Sequence, residues 1–190
     1  LITASFPTSA ITKTKDPMEL VLKSPFLSVG EIVSSAYYLP HKTYMDFKDV
    51  DPLLSVLGFL GRRPAGESAC IQYLISPATF AWQNSAVFKG VNADYNAETD
   101  KYSVSPHKKL MMQKASFQGG KALIRLLVGV EQKEYALPLL QSIAGTFGAF
   151  SLGEGSHFSF KKPSIFKKKL FERIVTRKTG FFDRRTQILN

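Results

Sequence analysis

This chain holds little of what covalent chemistry needs. It has one cysteine, Cys70, in 190 residues, which excludes an internal disulfide framework and fits a reducing compartment. Cys70 lies in an alternating apolar stretch, where a cysteine serves as a small core residue more readily than as a nucleophile. Histidines are few, and His41, His107 and His157 stand too far apart to form a ligand pair at helical spacing. No apolar run reaches the length needed to span a bilayer, and no stretch has the pattern of a signal peptide. The chain opens at Leu1 rather than a methionine, which fits a fragment of a longer protein. Acidic residues are the minority charge, 15 against 25 Lys and Arg, for a net +10. Such an excess favours polyanionic partners, either nucleic acid or an anionic membrane surface.

Two stretches imitate ligand-binding loops and fall short of them. Gly61-Arg-Arg-Pro-Ala-Gly66-Glu-Ser68 has the glycines and trailing hydroxyl of a phosphate-binding loop. Its lysine position holds Glu67, which repels phosphate, and the loop runs from a helix into a strand, the reverse of the required order. Asp94, Asn96, Glu98 and Asp100 alternate like a calcium loop. The central glycine is missing, and Ser105 stands where the bidentate glutamate belongs, so a solvated acidic loop is the reading. No Ser/His/Asp set carries a nucleophile elbow. Neither a catalytic residue, a cofactor nor a metal is expected.

What is present is an organised globular body. Apolar residues make up 44% and aromatics 12%, enough for a real core at this length. The stretch 37–77 reads as a strand, helix and strand, and part of it returns later: Ile71-Gln-x-Leu is echoed by Ile124-Arg-x-Leu. The alternation of Met18, Leu20 and Leu22 suggests a strand or short arm at 18–23, and a second strand is expected over 31–39, ended by Pro40. Asp51-Pro52 offers an N-cap and first-turn proline for a helix carrying Leu53, Leu54, Leu57 and Leu60, with Gly61 as its stop. Ala69, Ile71, Tyr73 and Ile75 alternate as a strand, and Phe80, Trp82 and Phe88 form a weak helical pattern. Residues 90–106 are the most polar stretch, and 108–114 suggests a helix. The run 122–130 reads as a strand buried on both faces. A helix over 134–149, a strand at Phe158 and Phe160 and a helix over 164–176 follow. The alternation predicts an α+β fold: two similar packed α/β halves, with mixed sheets and helices on one face, forming a single compact unit. The expected divisions are a linker at 1–16, a first half at 17–89, a polar loop at 90–107, a second half at 108–163 and a basic helix with linker at 164–190.

Charge is concentrated at the C-terminal end. Lys161, Lys162, Lys167, Lys168, Lys169, Arg173, Arg177, Lys178, Arg184 and Arg185 face only Glu172 and Asp183, so net +8 of the chain's +10 lies in its last thirty residues. Phe166, Leu170 and Ile174 recur every four residues, which predicts a helix apolar on one side and cationic on the other. Such a helix docks on its own domain, lies on an anionic membrane, or contacts phosphates. Phe158, Phe160, Phe181 and Phe182 could stack bases or serve the core.

The residues also resemble a known family. YYLPHKTYMDF (37–47), DPL (51–53) and GESACIQYLISP (66–77) are similar to the region preceding the motor in HerA/TraG-like DNA-transfer ATPases of conjugation and type IV secretion. QKASFQGGKALIRLLVGV (113–130), residues 153–160 and RRTQILN (184–190) are similar to segments further along that region. The likeness covers roughly 31–89 and 108–190. Residues 90–106 and the neighbourhood of Pro25 and Phe26 depart from it, and the Walker A and Walker B motifs are absent. The resemblance implies a non-catalytic accessory or docking domain, with the ATPase downstream and sister subunits in a hexamer. It implies a cytoplasmic place at the inner face of the membrane, with secretion-system or inner-membrane components as partners. Anionic lipid or DNA would meet 161–190. A stand-alone basic nucleic-acid-binding module is the alternative reading.

Overall fold

The computed structural model describes residue 4 and residues 7–47, 51–163, 167–179 and 187–189. Helix α1 (Met18–Leu22) starts where Asp16 Oδ1 accepts the Met18 N–H at 3.1 Å, with Pro17 preset for the first turn. A strand was expected here. The structure instead buries Met18 and Val21, one helical turn apart, and leaves Leu20 exposed. Strand β1 (Phe26–Ser34) begins and ends earlier than expected. It stops at Ser34 because that hydroxyl donates to the Ala36 carbonyl at 3.1 Å, a local bond that competes with the ladder.

Helix α2 (Leu53–Gly61) is capped as its sequence predicts, with Leu53 N donating to Asp51 Oδ1 at 2.8 Å. Strand β2 (Ser68–Pro77) leads to helix α3 (Ala81–Val91). The polar stretch folds as a small hairpin, β3 (Tyr95–Asn96) and β4 (Lys101–Tyr102), before helix α4 (Lys108–Ala115). Strand β5 (Gly120–Val130) and helix α5 (Ala136–Thr146) follow. The chain then runs through β6 (Phe158–Lys161), α6 (Lys167–Val175) and β7 (Gln187–Leu189).

The sheet order is β2-β5-β1-β6, with every neighbouring pair antiparallel and β7 extending it beside the start of β5. Two β-α-β units, β1-α2-β2 and β5-α5-β6, are thus interleaved, each placing a strand between the other's two. This is the β-α-β-β-α-β, ferredoxin-like plan. The α+β class and single compact unit are as expected. Mixed sheets with helices on one face were expected; every pair in the sheet is instead antiparallel, because a strand of the other unit separates the two parallel strands of each, and helices pack on both faces. The echo between Ile71 and Ile124 marks neighbours rather than equivalent positions, since Gln72 lies opposite Arg125 across β2 and β5.

Both connecting helices lie on one face. Leu139, Leu140 and Ile143 of α5 and the partly buried Phe59 and Leu60 of α2 cover Ile32, Ile124, Leu126 and Val128. Helices α1 and α6 cover the opposite face, packing Met18, Val21, Leu170 and Ile174 on Val29 and Leu127. β5 is therefore buried on both faces, as its apolar run predicts. A third cluster joins Trp82 and Ala86 of α3 to Ala115 and Ile188. Gly30 is a close approach: a Cβ there would collide with the Phe160 ring.

Candidate polyanion-binding site

The basic segment is mounted as a docked surface helix. Leu170 and Ile174 of α6 are buried, while Lys167, Lys168 and Lys169 are exposed and Arg173 is half-buried. Lys161 and Lys162, at the end of β6, are exposed as well. Phe166, Phe181, Phe182, Arg184 and Arg185 lie outside the described residues.

The helix ends in a hydrogen-bonded stop. Arg177 adopts φ 53, its N–H donates to the Ile174 carbonyl at 3.2 Å, and Lys178 N donates to the Arg173 carbonyl at 3.0 Å. That pair of bonds around a left-handed residue is a Schellman motif, here with arginine where glycine is usual. The Arg177 guanidinium in turn reaches Asp16 at 2.5 Å, tying the end of α6 to the cap of α1. The partnership holds the Asp16 carboxyl below its ordinary range.

Beneath this turn lies a polar row that crosses three strands. Gln72 of β2 donates through Nε2 to the Ile174 carbonyl at 3.0 Å. Arg125 of β5, fully buried, donates through Nη1 to the Lys178 carbonyl at 2.9 Å. Its Nε lies 4.0 Å from Glu31 Oε1 on β1. Donors therefore meet the carbonyl end of α6, where the helix dipole is negative. Sequence reading missed Arg125; the available signal was a lone charge inside an otherwise apolar strand.

The other sequence candidates are occupied structurally. The Phe158 ring stacks on His41 at 4.0 Å and meets Phe147 edge-on, and Phe160 fills the space over Gly30, so neither is a free stacking platform. His41 Nε2 is 2.9 Å from Ser34 Oγ, which is 2.6 Å from the fully buried Ser156 Oγ. These groups knit the 35–42 loop to the chain before β6. Burial first, then the charges of Lys114 and His157, pushes His41 down to about 4. The ring is thus neutral at physiological pH and buttresses the loop.

Lys114 is buried and donates to the carbonyls of Leu39 at 3.0 Å and Ile188 at 2.8 Å, with burial pushing it down to about 8. Burial also raises the Cys70 thiol, which opposes thiolate formation. In the phosphate-loop mimic, Gly66 has φ +86 and Glu67 pairs with Arg63 at 3.1 Å, which makes a turn. In the calcium-loop mimic, Asn96 Oδ1 accepts the N–H groups of Glu98 and Thr99, and the Tyr95 hydroxyl binds Asp100. No described helix is long and apolar enough to cross a membrane.

Comparison with models of protein families, with curated proteins and with solved structures finds no match to this chain.

Proposed function

We propose that this chain is a non-catalytic accessory domain of a DNA-translocating, conjugation-type ATPase, docking on a polyanionic surface through α6 and 161–162. The reading joins the sequence resemblance to one observation. The apolar stripe of α6 is spent on the sheet, so exposed Lys167, Lys168 and Lys169 are what the helix offers a partner. Docked in this way, α6 contacts an anionic membrane through its charges and not by inserting its leucine and isoleucine. Each lysine near anionic lipid contributes about 1 kcal/mol. Duplex DNA presents the same chemistry as phosphates, with a salt slope of about −0.9 for each one neutralised. In the parent protein the domain would sit at the inner membrane face beside sister subunits and secretion components, with nucleotide hydrolysis in a downstream motor.

The test is a salt titration of binding to duplex DNA and to phosphatidylserine vesicles, for wild type and for K167Q/K168Q/K169Q. The expected result is salt-sensitive binding to at least one polyanion, weakened roughly tenfold or more by the triple substitution. Salt-independent binding, or equal affinity of the two proteins, would overturn the assignment of α6 as the contact.

A further inference from the structure

Among the described residues, the outer edge of β2 pairs with no strand. β2 is the terminal strand of the sheet, paired without interruption to β5 from Ser68↔Gly129 to Pro77↔Gly120. Among the described residues, no other backbone or side chain hydrogen-bonds to its main chain. Natural edge strands are usually blunted by a lysine, a bulge or a covering element. Within β2 no residue is charged, the register has no bulge, and proline appears only at Pro77.

The two faces flanking this edge differ in chemistry. On the α2 and α5 face stand Tyr73 and Ile75, 46% and 73% exposed, opposite Ile124 and Ala122 of β5. Past the strand's end come Phe80 and Phe117, 70% and 61% exposed. Gln83 Nε2, in the first turn of α3, donates to the Phe117 carbonyl at 2.9 Å. On the α6 face, Ser76 lies opposite exposed Lys121. Gln72 on that face grips the C-terminal turn of α6, which continues into exposed Lys178.

We propose that β2 receives, by strand addition, an extended segment of a partner protein in which apolar residues alternate with acidic ones. Alternation follows from the two-residue period of a strand. Apolar side chains would pack beside Tyr73 and Ile75, and acidic ones would point to the side of Lys121 and Lys178. Main-chain bonds supply affinity in this mode and the flanking side chains supply specificity. A second copy of this chain is the poorer occupant, because it brings +10 against +10. The proposal concerns a surface other than the α6 lysines and does not depend on them.

The probe is a short, labelled peptide of alternating glutamate and valine, compared with a lysine–valine peptide and with a version N-methylated on alternate amides. Binding is read by fluorescence anisotropy, together with hydrogen exchange over 71–77. The glutamate peptide is expected to bind and to slow exchange in β2, with the N-methylated and lysine peptides roughly tenfold weaker or worse. I75K, at an exposed position, should weaken the peptide by a similar factor while DNA and vesicle binding stay as in wild type. Failure of the glutamate peptide to bind the folded protein would overturn the proposal. Equal binding of the N-methylated peptide, or a concentration-dependent dimer abolished by I75K, would do so too.

Discussion

His41 shows how much a single side chain can be committed to structure. It could be read in the sequence only as an isolated histidine, because Ser34, Ser156 and Phe158 reach it through the fold. Its folded-state value of about 4 lies below the ordinary 6.5. The unfolded chain therefore takes up the proton first as pH falls. The stabilisation from a neutral His41 is complete above about 6.5 and is lost between there and about 4. Allowing for its partial exposure, the loss is on the order of 1–2 kcal/mol. Urea unfolding from pH 7 down to pH 4 should show stability falling more steeply for wild type than for H41F, which keeps a ring against Phe158. Parallel curves would show that His41 does not carry this dependence. Arg125 was legible to the same limited degree: its strand was evident, but Glu31 and the Lys178 carbonyl are distant in sequence.

At the scale of elements, regular periodicity proved the most readable signal. Helix α6 followed from Leu170 and Ile174 four residues apart, and β5 from its apolar run. Helix α1 was hidden because three alternating apolar residues mimic a strand, whereas the Asp16 cap and Pro17 decide for a helix. β7 has three residues and no pattern of its own. It is held by Lys114, by its pairing with β5 and by Gln187, whose side-chain oxygen accepts the Ser34 N–H at 2.6 Å. The docking of α6 depends on the row beneath it. R125M removes the buried donor to the Lys178 carbonyl and puts a thioether in the guanidinium's place. It is expected to cost about 1–3 kcal/mol in urea unfolding, with α6 losing amide protection before the central strands. A loss below about 1 kcal/mol would show that the row is not what anchors the helix.

For the whole molecule, interleaving two β-α-β units explains why the chain reads as two halves yet packs as one body. Each half supplies strands that the other separates, so neither closes its sheet alone. The same plan distributes surfaces: connecting helices cover one face, α1 and α6 cover the other, and β2 is left at an edge. Charge was legible in the sequence because it is a sum over residues. Which side of α6 is available was not, because that depends on the sheet beneath it. With Leu170 and Ile174 buried, α6 turns Lys167, Lys168 and Lys169 to solvent, and the proposed role makes it a fixed cationic plate. The most direct test follows amide exchange across α6 and β5 as the protein binds phosphatidylserine vesicles. The expected result is binding with the 170–175 amides and β5 as protected as in the free protein. Faster exchange in β5 together with continued protection of α6 would mean that the helix leaves the sheet to insert in lipid, contradicting the account.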